Sequence, residues 1–170
     1  MIVESDNVAT NILSEALGLG YINQHIIEWG LNVTDMKRWV MDLRRRNEGI
    51  ENYTTAREMG ELFEMIYNGQ IVSSAACDQM LDIMKNQRSK SRIPRYLPPE
   101  VPVAHKTGLM RNVVHDAGII YTASGDYVLC VLTGNLPSRS AKRLIGEISY
   151  IIYDNHVSTA KKTTYSKAIQ

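Results

Sequence analysis

VPVAHKTGLMRNVVHDAGIIYTASGDYVLCVLT, residues Val101 to Thr133, is the stretch whose reading decides the fold. Upstream of it, apolar side chains recur at about 3.6-residue spacing; inside it the spacing falls to 2, the period of a strand with one face buried. Val101–Thr107, Asp116–Thr122 and Tyr127–Thr133 are therefore expected as three strands, with Ala123-Ser124-Gly125-Asp126 as the hairpin connection between the last two. Downstream, Ser138 opens a long helix whose apolar positions include Leu144, Ile145, Ile148, Ile151 and Ile152. From Val157 the chain is polar, with Lys161, Lys162 and Lys167, and reads as a frayed tail over 157–170.

Working back from Val101, the punctuation is helical. Ser5-Asp6-Asn7 is a cluster of capping residues before Val8, Ala9, Ile12, Leu13 and Ala16-Leu17, and Gly18 stops that pattern. Ile22, Ile26, Ile27 and Trp29 follow at helical spacing and end at Gly30. Between Leu31 and Tyr53 the periodicity lapses, and Arg44-Arg45-Arg46-Asn47-Glu48-Gly49 reads as an exposed, solvated loop. Thr55-x-x-Glu58 is a capping box ahead of the stripe Met59, Leu62, Phe63 and Ile66, and a further helix starts at Ser73 or Ser74 with Cys77, Leu81 and Met84 inward. Met36, Met41, Met59, Met65, Met80 and Met84 read as core filling. Prolines 94, 98 and 99 close the helical part. The organisation is α+β: a helical subdomain over 1–100, an antiparallel sheet with a covering helix over 101–156, and the tail.

Composition narrows the function. The 170 residues carry 19 Lys and Arg against 18 Asp and Glu, which gives no electrostatic footprint for nucleic acid or a polybasic membrane anchor. No apolar run reaches the ~20 residues that span a bilayer, and Met1-Ile2-Val3-Glu4 does not read as a signal peptide. Cys77 and Cys130 lie far apart, which argues against a disulfide scaffold or zinc ribbon. His25, His105, His115 and His156 show no metal-ligand spacing, so neither a metal site nor a cofactor is expected. His105 should point to the opposite face of its strand from Lys106.

Two short motifs carry the chemistry. Ser5-Asp6-Asn7 precedes a helix and Lys106-Thr107-Gly108 ends an expected strand; each alone is a common helix cap or strand end, and both together in this order and context are far rarer. They are two of the three signatures of serine β-lactamases and penicillin-binding proteins, the third being Ser-x-x-Lys. The resemblance extends to Thr54-Thr55-Ala56-Arg57-Glu58-Met59, Ile93-Pro94-Arg95-Tyr96-Leu97-Pro98 and His115-Asp116-Ala117-Gly118-Ile119-Ile120-Tyr121, in the family's order from Met1 to about Tyr153. The chain resembles the C-terminal three-fifths of a class A β-lactamase domain, which implies a truncated β-lactamase/transpeptidase-like fold.

What the resemblance implies residue by residue is chemically coherent. Ser5 would relay a proton toward the leaving nitrogen, and Asn7 would offer its amide to a substrate carbonyl. Lys106 would supply positive potential where Thr107 binds the substrate carboxylate, and beyond Gly108 the N–H of Leu109 would be one oxyanion donor. Asp6 would be structural, a buried acceptor holding the turn.

Two departures qualify the match. The upstream Ser-x-x-Lys that bears the acylated serine is absent; Ser158-Thr159-Ala160-Lys161 fits the pattern, but such a match arises readily by chance and the flanking sequence lacks an apolar stripe. The family's deacylating glutamate position, in the omega loop anchored by Arg38-Trp39, is Val40, and the partner asparagine position is Arg44. Asp42 and Glu48 are not at the right place to substitute. The expected function is β-lactamase-like acyl transfer on β-lactams or acyl-D-Ala-D-Ala peptides, with the chain alone inactive; a D,D-peptidase-like or slowly deacylating protein and a non-catalytic interaction module are the alternatives. The resemblance also implies a secreted or periplasmic setting. Tyr127–Thr133, without proline or charge, is expected as an uncapped edge beside an exposed part of the Ile145, Ile148 and Ile152 stripe, so the partner would be the missing N-terminal half or a second copy.

Overall fold

The structure, a computed structural model, describes residues 1–168. Helix α1 (Asn7–Leu17) begins where the Asp6 carboxylate accepts the Ala9 N–H at 2.6 Å. Gly18, with φ 82°, ends it and lets α2 (Leu19–Glu28) start at once. A loop leads to the short α3 (Leu43–Asn47), followed by α4 (Ala56–Tyr67) and α5 (Ser74–Lys85), capped by the Thr55 and Ser73 hydroxyls. A 3₁₀ turn at Ile93–Tyr96 precedes β1 (Val103–Met110), β2 (Val113–Ile120) and β3 (Tyr127–Gly134), and α6 (Ser138–Ala168) completes the fold.

The sheet is antiparallel in the order β1-β2-β3, with Thr107 opposite Asp116 and Ala117 opposite Cys130. The first two strands reach further toward each other than the sequence spacing predicts. Asn112, at φ 60°, allows a tight turn with Arg111, so Gly108 and His115 join the ladder as a pair. Helices α4 and α5 pack on one face, where Phe63, Ile66, Cys77, Leu81 and Met84 meet Ala104, Ala117 and Ile119. Helix α6 and the 3₁₀ turn cover the other, where Ala141, Ile145, Ile93 and Leu97 meet Val103, Val114 and Ile120. The result is an α+β arrangement: helices, a three-stranded antiparallel sheet and a covering helix.

Several expectations are corrected. Arg44–Asn47 is helical because the Asp42 carboxylate accepts the Arg45 N–H at 3.0 Å; five residues are too few for periodicity to reveal. Helix α6 runs past Val157 to Ala168 instead of fraying there. It carries Ser158, while the Lys161 side chain and residues 169–170 lie outside the described residues. Ile145 is fully buried, and the open part of the α6 stripe is Leu144, Ile151 and Ile152. Met41 is exposed at φ 63° and fills no core, unlike Met84. On α1 the only buried residue is Ser14, so Val8, Ile12, Leu13 and Leu17 form an apolar face with nothing packed on it among the described residues.

Candidate active site

Ser5 and Lys106, 101 residues apart, meet: the Lys106 ammonium donates to the Ser5 hydroxyl at 2.6 Å and to the Thr107 carbonyl at 2.8 Å. Local structure on both sides makes this contact. Ser5 sits at φ 53°, an αL conformation that costs a non-glycine residue of order 1 kcal/mol and aims its hydroxyl across the gap just ahead of the α1 cap. Lys106 projects from edge strand β1, while His105 turns to the opposite side and is fully buried.

Around this contact lies a cavity of about 740 Å³ whose lining includes Ser5, Asn7, Val40, Lys106, Thr107, Gly108 and Leu109. Every side chain singled out from the two motifs borders it except Asp6, which is exposed at the helix cap and not buried as expected. Asn7 opens α1, and its side chain has no hydrogen-bond partner among the described residues, which leaves its amide available. Leu109 is exposed near the end of β1.

The wall is cationic. Arg88, Arg92 and Lys142 border the cavity with Lys106, and Glu4 is engaged by Arg88 at 2.7 Å. Arg92 is 3% exposed and makes no ion pair with a carboxylate among the described residues; burial lowers its pKa and the Asp116 charge opposes that. Burial, helped by the Arg92 charge, lowers Lys106 below the usual lysine value, and Asp116 again opposes the shift. The lowering favours a lysine that shares and exchanges its proton with the serine it touches.

The loop carrying Val40 is held by three asparagines from elsewhere in the chain. The Asn23 amide accepts the Met36 N–H and donates to the Met36 carbonyl. Asn52 does the same for Arg38, and Asn11 for Val40, both Asn11 bonds measuring 2.9 Å. Residues 36, 38 and 40 of the loop are thus each paired through both backbone groups by a side-chain amide, as a neighbouring strand would pair them. Glu58 anchors the start of the loop by accepting from the Val33 and Thr34 N–H groups and the Thr34 hydroxyl. Burial would raise this carboxyl, but those bonds outweigh it and hold the pKa below the ordinary value. Arg38 pairs with Glu51, which Arg46 also engages. Val40 therefore has a fixed backbone and a side chain that can neither give nor take a proton, while Asp42 is occupied as the α3 cap. Arg44 is exposed.

The sequence reading missed the buried pair beneath the site. His105 Nδ1 lies 2.9 and 3.1 Å from the two Asp116 oxygens, and one of these also accepts the Ile93 N–H at 3.0 Å. The available signal was a carboxylate inside a strand that is apolar apart from its neighbour His115, and a buried carboxylate has to be paired.

Comparison with known proteins agrees with this geometry. The family model described as the beta-lactamase enzyme family matches residues 1–156. Among solved structures, the β-lactamase of Sphaerobacter thermophilus DSM 20745 superposes with a TM-score of 0.82 at 30% identity, covering 89% of this chain and 59% of that one. PBP-A superposes with a TM-score of 0.82 at 32% identity, covering 93% and 59%. A leucine-to-glutamate variant of PBP-A, described as an acyl-enzyme complex with penicillin G, matches with a TM-score of 0.83 at 32% identity over the same shares. The chain spans about 60% of the length of the solved structures it matches.

Proposed function

The chain belongs to the beta-lactamase enzyme family, and from that premise we propose that it forms the proton-relay and anion-binding wall of a serine acyl-transfer site for β-lactams or acyl-D-Ala-D-Ala peptides. The observation that carries this reading is the 2.6 Å contact between Lys106 and Ser5, set in a cavity with Asn7 and Thr107. In the proposed reaction, a serine on the part of the domain not represented here attacks the acyl carbon. As the acyl–nitrogen bond breaks, Ser5 passes a proton to the leaving nitrogen, drawing on the Lys106 ammonium it already touches, and the proton released by the attacking serine restores that ammonium. The cationic wall draws the substrate carboxylate toward Thr107, and the Leu109 N–H shares the developing oxyanion charge. Asn7 holds the substrate amide carbonyl. Val40 leaves the ester without a water-activating carboxylate, which favours a slowly deacylating, penicillin-binding-protein-like outcome over rapid lactam turnover. The setting would be secreted or periplasmic, as for the family it resembles.

Intact-mass measurement after incubation with a reporter penicillin tests the assignment. The chain alone is expected to remain unmodified, and a domain completed by its Ser-x-x-Lys segment is expected to gain one penicilloyl group. A stoichiometric adduct on the chain alone, at Ser158 above all, would place the nucleophile elsewhere and overturn the reading.

The completed domain is also what the exposed apolar faces call for. The α1 face, the open part of α6 and the edge of β3 that no described residue pairs are better covered by the remaining N-terminal part of the domain than by water, and a second copy is the rival occupant. Sedimentation equilibrium at micromolar concentration is expected to show self-association of the chain alone, and a 1:1 complex once the complement is added. A well-folded monomer with protected amides along Tyr127–Gly134 would mean that the edge is covered from within.

A further inference from the structure

Ser5 holds a strained backbone conformation, and the helix that follows does little to keep it there. Helix α1 buries only Ser14, and its apolar face has nothing packed on it among the described residues. What fixes the turn carrying Ser5 comes from the segment that leaves α5. Gln87 is 3% exposed, although it borders the cavity. Its side-chain amide donates to the Ile2 carbonyl at 3.1 Å, across 85 residues, and its oxygen accepts the Ser89 N–H at 3.1 Å. The Ser89 hydroxyl in turn accepts from Arg92 at 3.4 Å. The turn is closed by the Asp6 N–H donating to the Met1 carbonyl at 3.2 Å, and the Ile2 side chain packs against the core between the sheet and helices α4 and α5. The ion pair of Arg88 with Glu4 spans the same gap but is exposed on both sides, where such a pair holds little.

We propose that Gln87 is a positioning residue: its amide ties the turn that carries Ser5 to the segment that carries Arg92, and so sets where Ser5 meets Lys106. This rests on the acyl-transfer reading for its purpose but not for its test. The Ile2 carbonyl needs a donor and the Ser89 N–H an acceptor, and a primary amide supplies both at the two ends of one planar group. Methionine at this position has a similar length but no N–H to give. The Ile2 carbonyl then loses its partner, the turn relaxes out of the αL conformation at Ser5, and the hydroxyl leaves the Lys106 ammonium. The lysine end of the contact stays in place, because β1 is held by its ladder to β2 and does not depend on Gln87.

The experiment places a reporter at the contact. In Ser5→Cys a thiol stands where the hydroxyl receives Lys106, and an adjacent ammonium lowers a thiol's pKa, which the rate of alkylation against pH reads directly. Site-resolved mass spectrometry of the full chain keeps this signal apart from Cys77 and Cys130. Ser5→Cys alone is expected to show a midpoint below the ordinary thiol value. Adding Gln87→Met is expected to raise it by about one pH unit, so that alkylation at pH 7 slows by up to about tenfold, with amide exchange along β1 and β2 unchanged. An unchanged midpoint in a folded Gln87→Met chain overturns the proposal, as does an ordinary thiol in Ser5→Cys itself. A shift that persists when Lys106→Met is present, or that comes with faster exchange throughout β1 and β2, also overturns it, since Gln87 would then act elsewhere or hold the fold as a whole. If Gln87→Met does not fold, the side-chain amide protons of Gln87 in the unsubstituted chain decide: slow exchange with solvent is expected, and rapid exchange of both overturns the proposal. Because no acylation is measured, failure here leaves the acyl-transfer reading standing, and failure of the penicillin experiment leaves this one standing.

Discussion

Replacing Val40 with glutamate in a domain completed by its Ser-x-x-Lys segment is expected to raise the deacylation rate by ~10²–10⁴-fold, the usual worth of a positioned general base. The starting protein should release a burst of product equal to the enzyme present and then turn over slowly. The backbone at position 40 is fixed by Asn11 through both its N–H and its carbonyl, and the side chain already faces the cavity, so the new carboxylate inherits a defined place. Its water-orienting partner would still be absent, because Arg44 is exposed, and Val40→Glu with Arg44→Asn is expected to exceed the single substitution. Pre-steady-state measurement with a chromogenic cephalosporin separates the two rates. Rapid turnover without a burst before any substitution would show that the ester is hydrolysed by another group.

The second large effect concerns stability. Gly118→Ala places a methyl group against the Ala104 carbonyl oxygen and His105 Cβ, both at 2.5 Å, with His105 Cα at 2.8 Å. Two of the three obstacles are backbone atoms in a paired ladder, so relief requires β1 to move off β2. Overpacking of this kind costs about 1–3 kcal/mol, and disturbing the buried His105–Asp116 pair adds to it. A loss of about 3 kcal/mol or more is expected, seen as a fall in Tm of about 6–12 °C for a chain of this size. Gly134→Ala is the control, since a Cβ there meets nothing within 4 Å. Equal melting of the two variants would show that the ladder yields at little cost.

These expectations depend unequally on what the sequence makes visible. The three strands and the helices α4 and α5 are legible because each buries one face against a dense core, and burial on one face is what periodicity reports. Ser5, Asn7, Lys106 and Thr107 are legible because their chemistry sits in contiguous tripeptides at a helix start and a strand end. The placement of Val40 is legible only by resemblance. What holds it is not, because Asn11, Asn23 and Asn52 act on backbone groups 29, 13 and 14 residues away, and an isolated surface asparagine carries no period. The α1 stripe shows the opposite failure. Its spacing announces a buried face, but among the described residues nothing covers Val8, Ile12, Leu13 and Leu17.

The three asparagine clamps also determine how the Val40 loop ages. Each clamp depends on one side chain offering an acceptor and a donor at once, which an amide does and an ionised carboxylate does not. Because amides neither gain nor lose a proton in ordinary buffers, a change of pH does not titrate these clamps. Hydrolytic loss of ammonia is another matter. Deamidation of Asn11 turns the group that donates to the Val40 carbonyl into an oxygen facing an oxygen, and half of the clamp becomes repulsive. A stored sample would lose the geometry of this loop through a mass gain of about one dalton, while its helices and sheet stayed intact.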